Sequence, residues 1–235
     1  MKTILFDLDG TLLPMEQDSF VKAYFGGLAT KLAPLGYEPN KLIQGIWTGT
    51  KAMIRNDGQN TNEDVFWKTF SSLYDHDVRK DEPVFDQFYR NEFQFVAMVC
   101  GKNPESANLV RFLKEQGCRL ILATNPIFPA VGTRSRIKWA GLQEEDFELV
   151  TTYENSCYCK PNLQYYRSIL QTIGEKPENC IMIGNDVSED MIAQELGMQV
   201  FLLTDCLINK DGLDIQQFPN GSFSDLMEFL KDHIR

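Results

Sequence analysis

Lys2-Thr3-Ile4-Leu5-Phe6-Asp7-Leu8-Asp9-Gly10-Thr11 is the stretch on which the fold of this 235-residue chain turns. Residues 3–6 are apolar and partly β-branched, long enough for a buried strand. The run stops at two carboxylates one residue apart, followed by Gly10 and Thr11. A buried strand ending in two bare acids calls for a cation nearby. Gly10 lets the backbone turn sharply and come close to a ligand. The stretch reads as a strand carrying Asp7 and Asp9 to the carboxyl edge of a sheet, where open α/β sheets bind ligands. Asp-Gly is also an ordinary turn dipeptide. The rest of the chain must decide between the two.

Beyond Thr11 the apolar residues recur at helical spacing as far as Val96, and no strand pattern interrupts them. Phe20, Tyr24, Leu28 and Leu32 mark one helix; Leu42, Ile43, Ile46, Trp47 and Ile54 a second. Val65, Phe66, Phe70 and Leu73 mark a third, after a Thr61-x-x-Asp64 start; Val84, Phe85, Phe88, Tyr89 and Phe93 a fourth. Four helices in series predict a small antiparallel bundle with its own core. From Asn103 the rhythm becomes βα: helices over 104–116, 126–140, 162–173, 188–196 and 223–233, and strands over 118–123, 147–152, 180–183 and 200–203. That alternation predicts an α/β doubly wound parallel sheet with helices on both faces. The first strand joins this sheet, so the helices interrupt it as an insertion. The expected division is 1–13 and 100–235 for the α/β core and 14–99 for the helical insertion.

A net charge of −10 argues against nucleic acid as a partner. It also means that an anionic substrate needs local positive charge. The six cysteines include Cys157 and Cys159, but no second pair completes a zinc site. Neither a signal peptide nor a membrane span is visible, and a reduced, cytoplasmic setting is expected.

Four strand ends carry polar residues: Asp7-x-Asp9, Thr124-Asn125, Lys160-Pro161 and Gly184-Asn185-Asp186 with Asp190 beyond. A parallel sheet brings all four to one edge. Each alone has a bland reading as cap, turn or surface residue. Together they suit transfer of a phosphoryl group to a carboxylate. Asp7 would attack and form an acyl phosphate. Mg²⁺ would lie between carboxylate and phosphate, held by Asp7 and an acid of the fourth loop. Lys160 would add fixed positive charge. Thr124, Asn125 and a helix start at Pro126 would meet the phosphate. Asp9 would protonate the leaving oxygen and then activate water.

These four segments, in this order, resemble the signature motifs of the haloacid dehalogenase superfamily, in a member with a helical cap inserted after the first strand. The resemblance implies a Rossmann-like core and makes Asp7 the nucleophile and a Mg²⁺ ligand. It makes Asp9 the general acid/base, with its carbonyl on the metal. Gly10, Thr124, Asn125 and Lys160 fall at phosphate-binding positions, and the fourth loop supplies the remaining metal ligands. Counted from Gly184, the family's first acid falls on Asn185. Asp186 is the expected ligand and Asn185 its rival. Asp190 would bind through water or orient Lys160. Asp9 argues against dehalogenation, and Lys22 and Lys51 read as surface lysines rather than Schiff-base formers.

The expected activity is Mg²⁺-dependent hydrolysis of a small phosphorylated metabolite. A phosphomutase resembling β-phosphoglucomutase shares every motif. A receiver-like signalling module is a remote alternative, at about half this length. The cap would select substrate through loops 14–19 and 47–60, with Trp47, Lys51 and Arg55 as candidate contacts. Hinges would lie near 12–16 and 96–103.

Overall fold

A computed structural model describes residues 2–234. The expected outer bounds of the core, Met1 and Arg235, lie outside the described residues. The elements in chain order are β1 (Thr3–Phe6), α1 (Gln17–Leu32), α2 (Pro39–Ile54), α3 (Asn62–Ser71), α4 (Glu82–Arg90) and α5 (Pro104–Glu115). They continue with β2 (Arg119–Leu122), α6 (Ala130–Trp139), β3 (Leu149–Val150), α7 (Leu163–Ile173), β4 (Cys180–Gly184), β5 (Gln199–Leu203), β6 (Asn220–Gly221) and α8 (Phe223–His233).

The strands form one six-stranded sheet in the order β3-β2-β1-β4-β5-β6, parallel throughout. β1 lies at its centre, with Leu5 beside Ile121 of β2 and Met182 of β4. Successive side chains point to opposite faces, and both faces are covered. Ile4 and Phe6 join Leu109 and Leu113 of α5, Ile137 of α6 and Leu226 and Leu230 of α8 in one apolar cluster. Leu5 joins Tyr165, Tyr166 and Ile169 of α7 and Met191 in the other. The doubly wound sheet expected from the βα rhythm is thus observed.

The helical insertion between β1 and α5 has its own aromatic cluster, built from Phe20, Tyr24, Phe66, Trp67, Phe70, Phe85, Phe88 and Phe93. The two strands of chain linking it to the sheet run side by side. Met15 bridges Cys100, and Gly101 N donates to Pro14 O at 2.7 Å. A second contact is polar. Asn62, fully buried at the start of α3, donates to Pro126 O at 3.2 Å and accepts from Asn56 Nδ2 at 2.8 Å.

Several expected elements differ. The helix expected from Pro126 begins at Ala130, because Pro129 takes the cap position and Glu154 accepts from the Ala130 N–H at 2.8 Å. The segment expected as a helix over 188–196 is a 3-10 turn over Met191–Leu196. The strand expected over 147–152 pairs only at Leu149 and Val150. The fourth helix of the insertion gives way to 3-10 turns over Glu92–Val99. β6 carries no apolar run that would announce it.

Candidate active site

The four polar strand ends emerge at one edge of the sheet, as the topology requires. Asp7 follows β1 directly and is 8% exposed. Lys160, 1% exposed, donates to Asp7 Oδ1 at 2.8 Å and to Asp190 Oδ1 at 2.6 Å. Burial works against the ammonium charge, but the Asp190 and Asp7 carboxylates outweigh it and hold the Lys160 pKa well above its ordinary value. Asp190 also accepts from the Asp186 N–H at 3.0 Å, so the β4 loop is tied to the lysine.

Thr11 links Asp7 to the β4 loop. Its hydroxyl lies 3.4 Å from Asp7 Oδ2 and 3.2 Å from Asn185 Oδ1. The Asn185 amide can take only one orientation: Nδ2 donates to the Cys206 carbonyl at 2.6 Å, which turns Oδ1 toward Thr11 and Asp7. Gly10 has φ +84, and a Cβ there would collide with the Asn185 amide. The Gly10 N–H donates to Leu13 O at 2.7 Å, so its part in the site is close backbone approach rather than an amide offered to phosphate.

Asp186 lines the cavity, and its Oδ1 accepts from Ser188 N and Glu189 N, both at 2.9 Å. Thr124 and Asn125 also line it. Asn125 Nδ2 points to Glu189 Oε2 at 2.9 Å, and Asn125 Oδ1 is buried without a partner. Burial pushes the Glu189 carboxyl up to about 7, against the opposing pull of Lys160.

Asp9 is held by a residue absent from the sequence reading. Arg136, on α6 and 1% exposed, makes an ion pair with Asp9 Oδ2 and lies 4.3 Å over the Phe128 ring. Asp9 Oδ1 is buried with no partner. Burial raises the Asp9 pKa, and the Arg136 charge opposes the rise. An arginine in a helix with no apolar stripe gives no sequence signal of this kind.

Above these groups lies a cavity of about 450 Å³, roofed by α1–α4 and walled by the start of α6. Trp47 lines it. Lys51 and Arg55 do not: both are exposed, as is Lys22. The α2 residues that line the cavity are Ile46, Trp47 and Thr50; Trp47 is at the edge of that arc, and the further step of about 40° to Lys51 passes beyond it. Arg55 lies beyond the end of α2.

Among the described residues, no three His, Cys, Asp or Glu side chains converge as a ready metal cluster. The donors near Asp7 are nonetheless all hard oxygens, from Asp7, Asn185 and Asp186, which suits Mg²⁺; such ions commonly take one or two carboxylates plus water and phosphate. All six cysteines are free. No helix of the described residues is long and apolar enough to cross a membrane.

A pyrophosphatase PpaX of Bacillus cereus (strain AH820) is 25% identical over 100% of this chain and 99% of its own. Among solved structures, a phosphatase of Thermococcus onnurineus shares the fold at TM-score 0.60 and 20% identity, over 99% of this chain and 97% of that one. A 2-haloacid dehalogenase of Pseudomonas syringae pv. Tomato shares it at TM-score 0.63 and 18% identity, over 99% of each chain. The model of the haloacid dehalogenase-like hydrolases matches residues 1–195. With the parallel sheet and the motif order in place, the chain belongs to the haloacid dehalogenase-like hydrolase family.

Proposed function

We propose that this hydrolase removes phosphate from a small organic phosphomonoester, with Mg²⁺, through an aspartyl-phosphate on Asp7. The observation that carries this reading is Lys160. One buried ammonium bridges Asp7 and Asp190 at 2.8 and 2.6 Å, joining strand ends that are 153 and 30 residues from it in sequence. A structural lysine is mostly exposed. One held at the foot of a cavity against a carboxylate positions that carboxylate and neutralises charge as a phosphoryl group arrives.

Lys160 fixes Oδ1 of Asp7 and leaves Oδ2 to attack phosphorus. As the new O–P bond forms, the bond from phosphorus to the leaving oxygen breaks. Asp9, whose pKa is raised by burial, gives that oxygen its proton. The Asp9 carboxylate then takes a proton from water as water attacks phosphorus, freeing phosphate and Asp7. When bound, Mg²⁺ would screen the repulsion between phosphate and Asp7. Its protein donors would be Asp7, the Asp9 carbonyl and Asn185 Oδ1. Asp186 is a weaker candidate, because one of its oxygens already caps the following turn.

The test is turnover of 4-nitrophenyl phosphate. Wild-type protein with Mg²⁺ should turn it over, and EDTA or Asp7→Asn should abolish turnover. Hydrolysis that survives either treatment rules the mechanism out.

A further inference from the structure

The cavity above Asp7 differs in character from its floor. Its walls are mainly aromatic: Phe25 and Trp47 meet with ring centroids 5.5 Å apart, and Phe66 and Phe128 line other sides. Trp47 keeps 43% of its surface exposed although it belongs to an aromatic wall. A volume of about 450 Å³ lies within the range of small-molecule sites.

The charges of the walls are unbalanced. Glu63, Glu82 and Glu154 line the cavity away from the sheet edge; Arg79 pairs with Glu82 at 2.8 Å and Glu154 accepts from the Ala130 N–H, so among the described residues Glu63 is the one of the three without a partner. Glu63 has its pKa raised, first by burial and then by the charges of Glu154 and Glu82, so these carboxylates sense one another. Three of the lining cations are already held by acids: Arg90 by Asp86 at 2.6 Å, Arg134 by Glu144 at 2.6 Å, and Arg136 by Asp9. Lys210, exposed at the rim, is the one lining cation without an ion pair among the described residues. Beyond the phosphate, an anionic group would meet carboxylates, and the one unpaired lining cation, Lys210, stands at the exposed rim. A planar, uncharged ring would meet aromatic faces, and a ring with an ammonium or N–H group would also find acceptors.

We infer that the group esterified to the phosphate is a planar ring that is uncharged or cationic, and that anionic groups such as glycolate or a second phosphate are excluded. This rests on the phosphatase reading above and names its substrate class. Glu63, which has no ion pair among the described residues, is the residue that excludes the anion.

The experiment compares kcat/KM of the Mg²⁺-loaded full chain on phenyl phosphate, 4-carboxyphenyl phosphate, 4-(aminomethyl)phenyl phosphate, phosphoglycolate and inorganic pyrophosphate. Phenyl and aminomethylphenyl phosphate should exceed phosphoglycolate and pyrophosphate at least tenfold. The 4-carboxyl group makes a better leaving phenol, yet its ester should be turned over at least tenfold less well than phenyl phosphate. Glu63→Gln should narrow that last gap at least threefold. Glu63→Ala, which removes the same charge with a smaller side chain, gives the same reading if Glu63→Gln fails to fold. Turnover of phosphoglycolate or pyrophosphate equal to that of phenyl phosphate, or no discrimination against the carboxyl group, overturns the inference and leaves the phosphatase reading intact. Folded protein that hydrolyses none of the five overturns both.

Discussion

Arg136 reaches Asp9 from a helix 127 residues further along the chain, and the pair joins α6 to the turn that follows β1. The guanidinium is 1% exposed, while 28% of the Asp9 side chain faces the cavity. The arginine therefore restrains the acid without blocking it. Breaking such a pair leaves an uncompensated group and typically costs about 3 kcal/mol, less where the remaining acid can take up a proton.

Arg136→Met is accordingly expected to lower kcat at least tenfold on a phosphomonoester and to change KM by less than threefold. Arg136→Lys should recover part of the rate, since it restores the charge but not the planar fork. With Asp9 as the proposed general acid and Arg136 its ion-pair partner, the kcat limb of the pH profile assigned to that acid should shift in Arg136→Met. A variant with unaltered kcat and pH profile would show that the ion pair serves the fold alone.

The two candidates in the β4 loop make separable predictions. Asn185 Oδ1 is turned to Asp7 through Thr11, whereas Asp186 Oδ1 caps the next turn. Asn185→Ala should raise the Mg²⁺ concentration for half-maximal activity at least tenfold. Asp186→Ala should affect that concentration less and instead lower stability by about 1 kcal/mol, the usual cost of a lost cap. Mg²⁺ titrations and urea midpoints of the two variants decide the matter, and the reverse pattern would reinstate Asp186 as the main ligand.

Glu189 predicts a pH dependence. Burial lifts its carboxyl from the ordinary 4.5 to about 7. Between those values the folded protein keeps a proton that the unfolded chain has released, so this group makes stability fall as pH rises through that window. The full penalty stands above pH 7 and is at most about 3 kcal/mol. Glu189→Gln preserves an oxygen for the Asn125 amide and removes the charge. In EDTA, its urea midpoint should exceed that of the parent at pH 8 and match it below pH 4.5. A midpoint difference independent of pH would mean that Glu189 is not the titrating group.

What the sequence made legible follows the apolar run length. β1, β2, β4 and β5 are buried on both faces, so each shows as a continuous apolar stretch between turn residues. Asn220 and Gly221 pair at the edge of the sheet without such a stretch, and β6 had no signal. The polar strand ends could be brought together because a parallel sheet orders them by topology alone. Arg136 could not: its burial arises from the insertion closing over α6, a tertiary effect that helical spacing does not carry. Lys51 and Arg55 show the converse. Basic residues near Trp47 suggested substrate contacts from the cap, but rotation along α2 and its end at Ile54 leave them in solvent.

Two glycines of the insertion should respond to alanine differently. In a helix interior, Gly→Ala contributes about 1 kcal/mol through propensity. At Gly26, within α1, a Cβ would meet nothing within 4 Å, so Gly26→Ala should stabilise by roughly that amount. At Gly49, within α2, the Cβ would lie 2.6 Å from the Phe66 ring, which is nearly buried where α2 packs on α3. Overpacking of this kind costs about 1–3 kcal/mol, which offsets or exceeds the propensity gain. Gly49→Ala should therefore be neutral to destabilising. For a chain of this size, 1 kcal/mol moves Tm by about 2–4 °C, so thermal melts resolve the two. A rise in Tm for Gly49→Ala equal to that of Gly26→Ala would show that α2 and α3 have room between them, and the close approach of Gly49 to Phe66 would no longer explain the glycine.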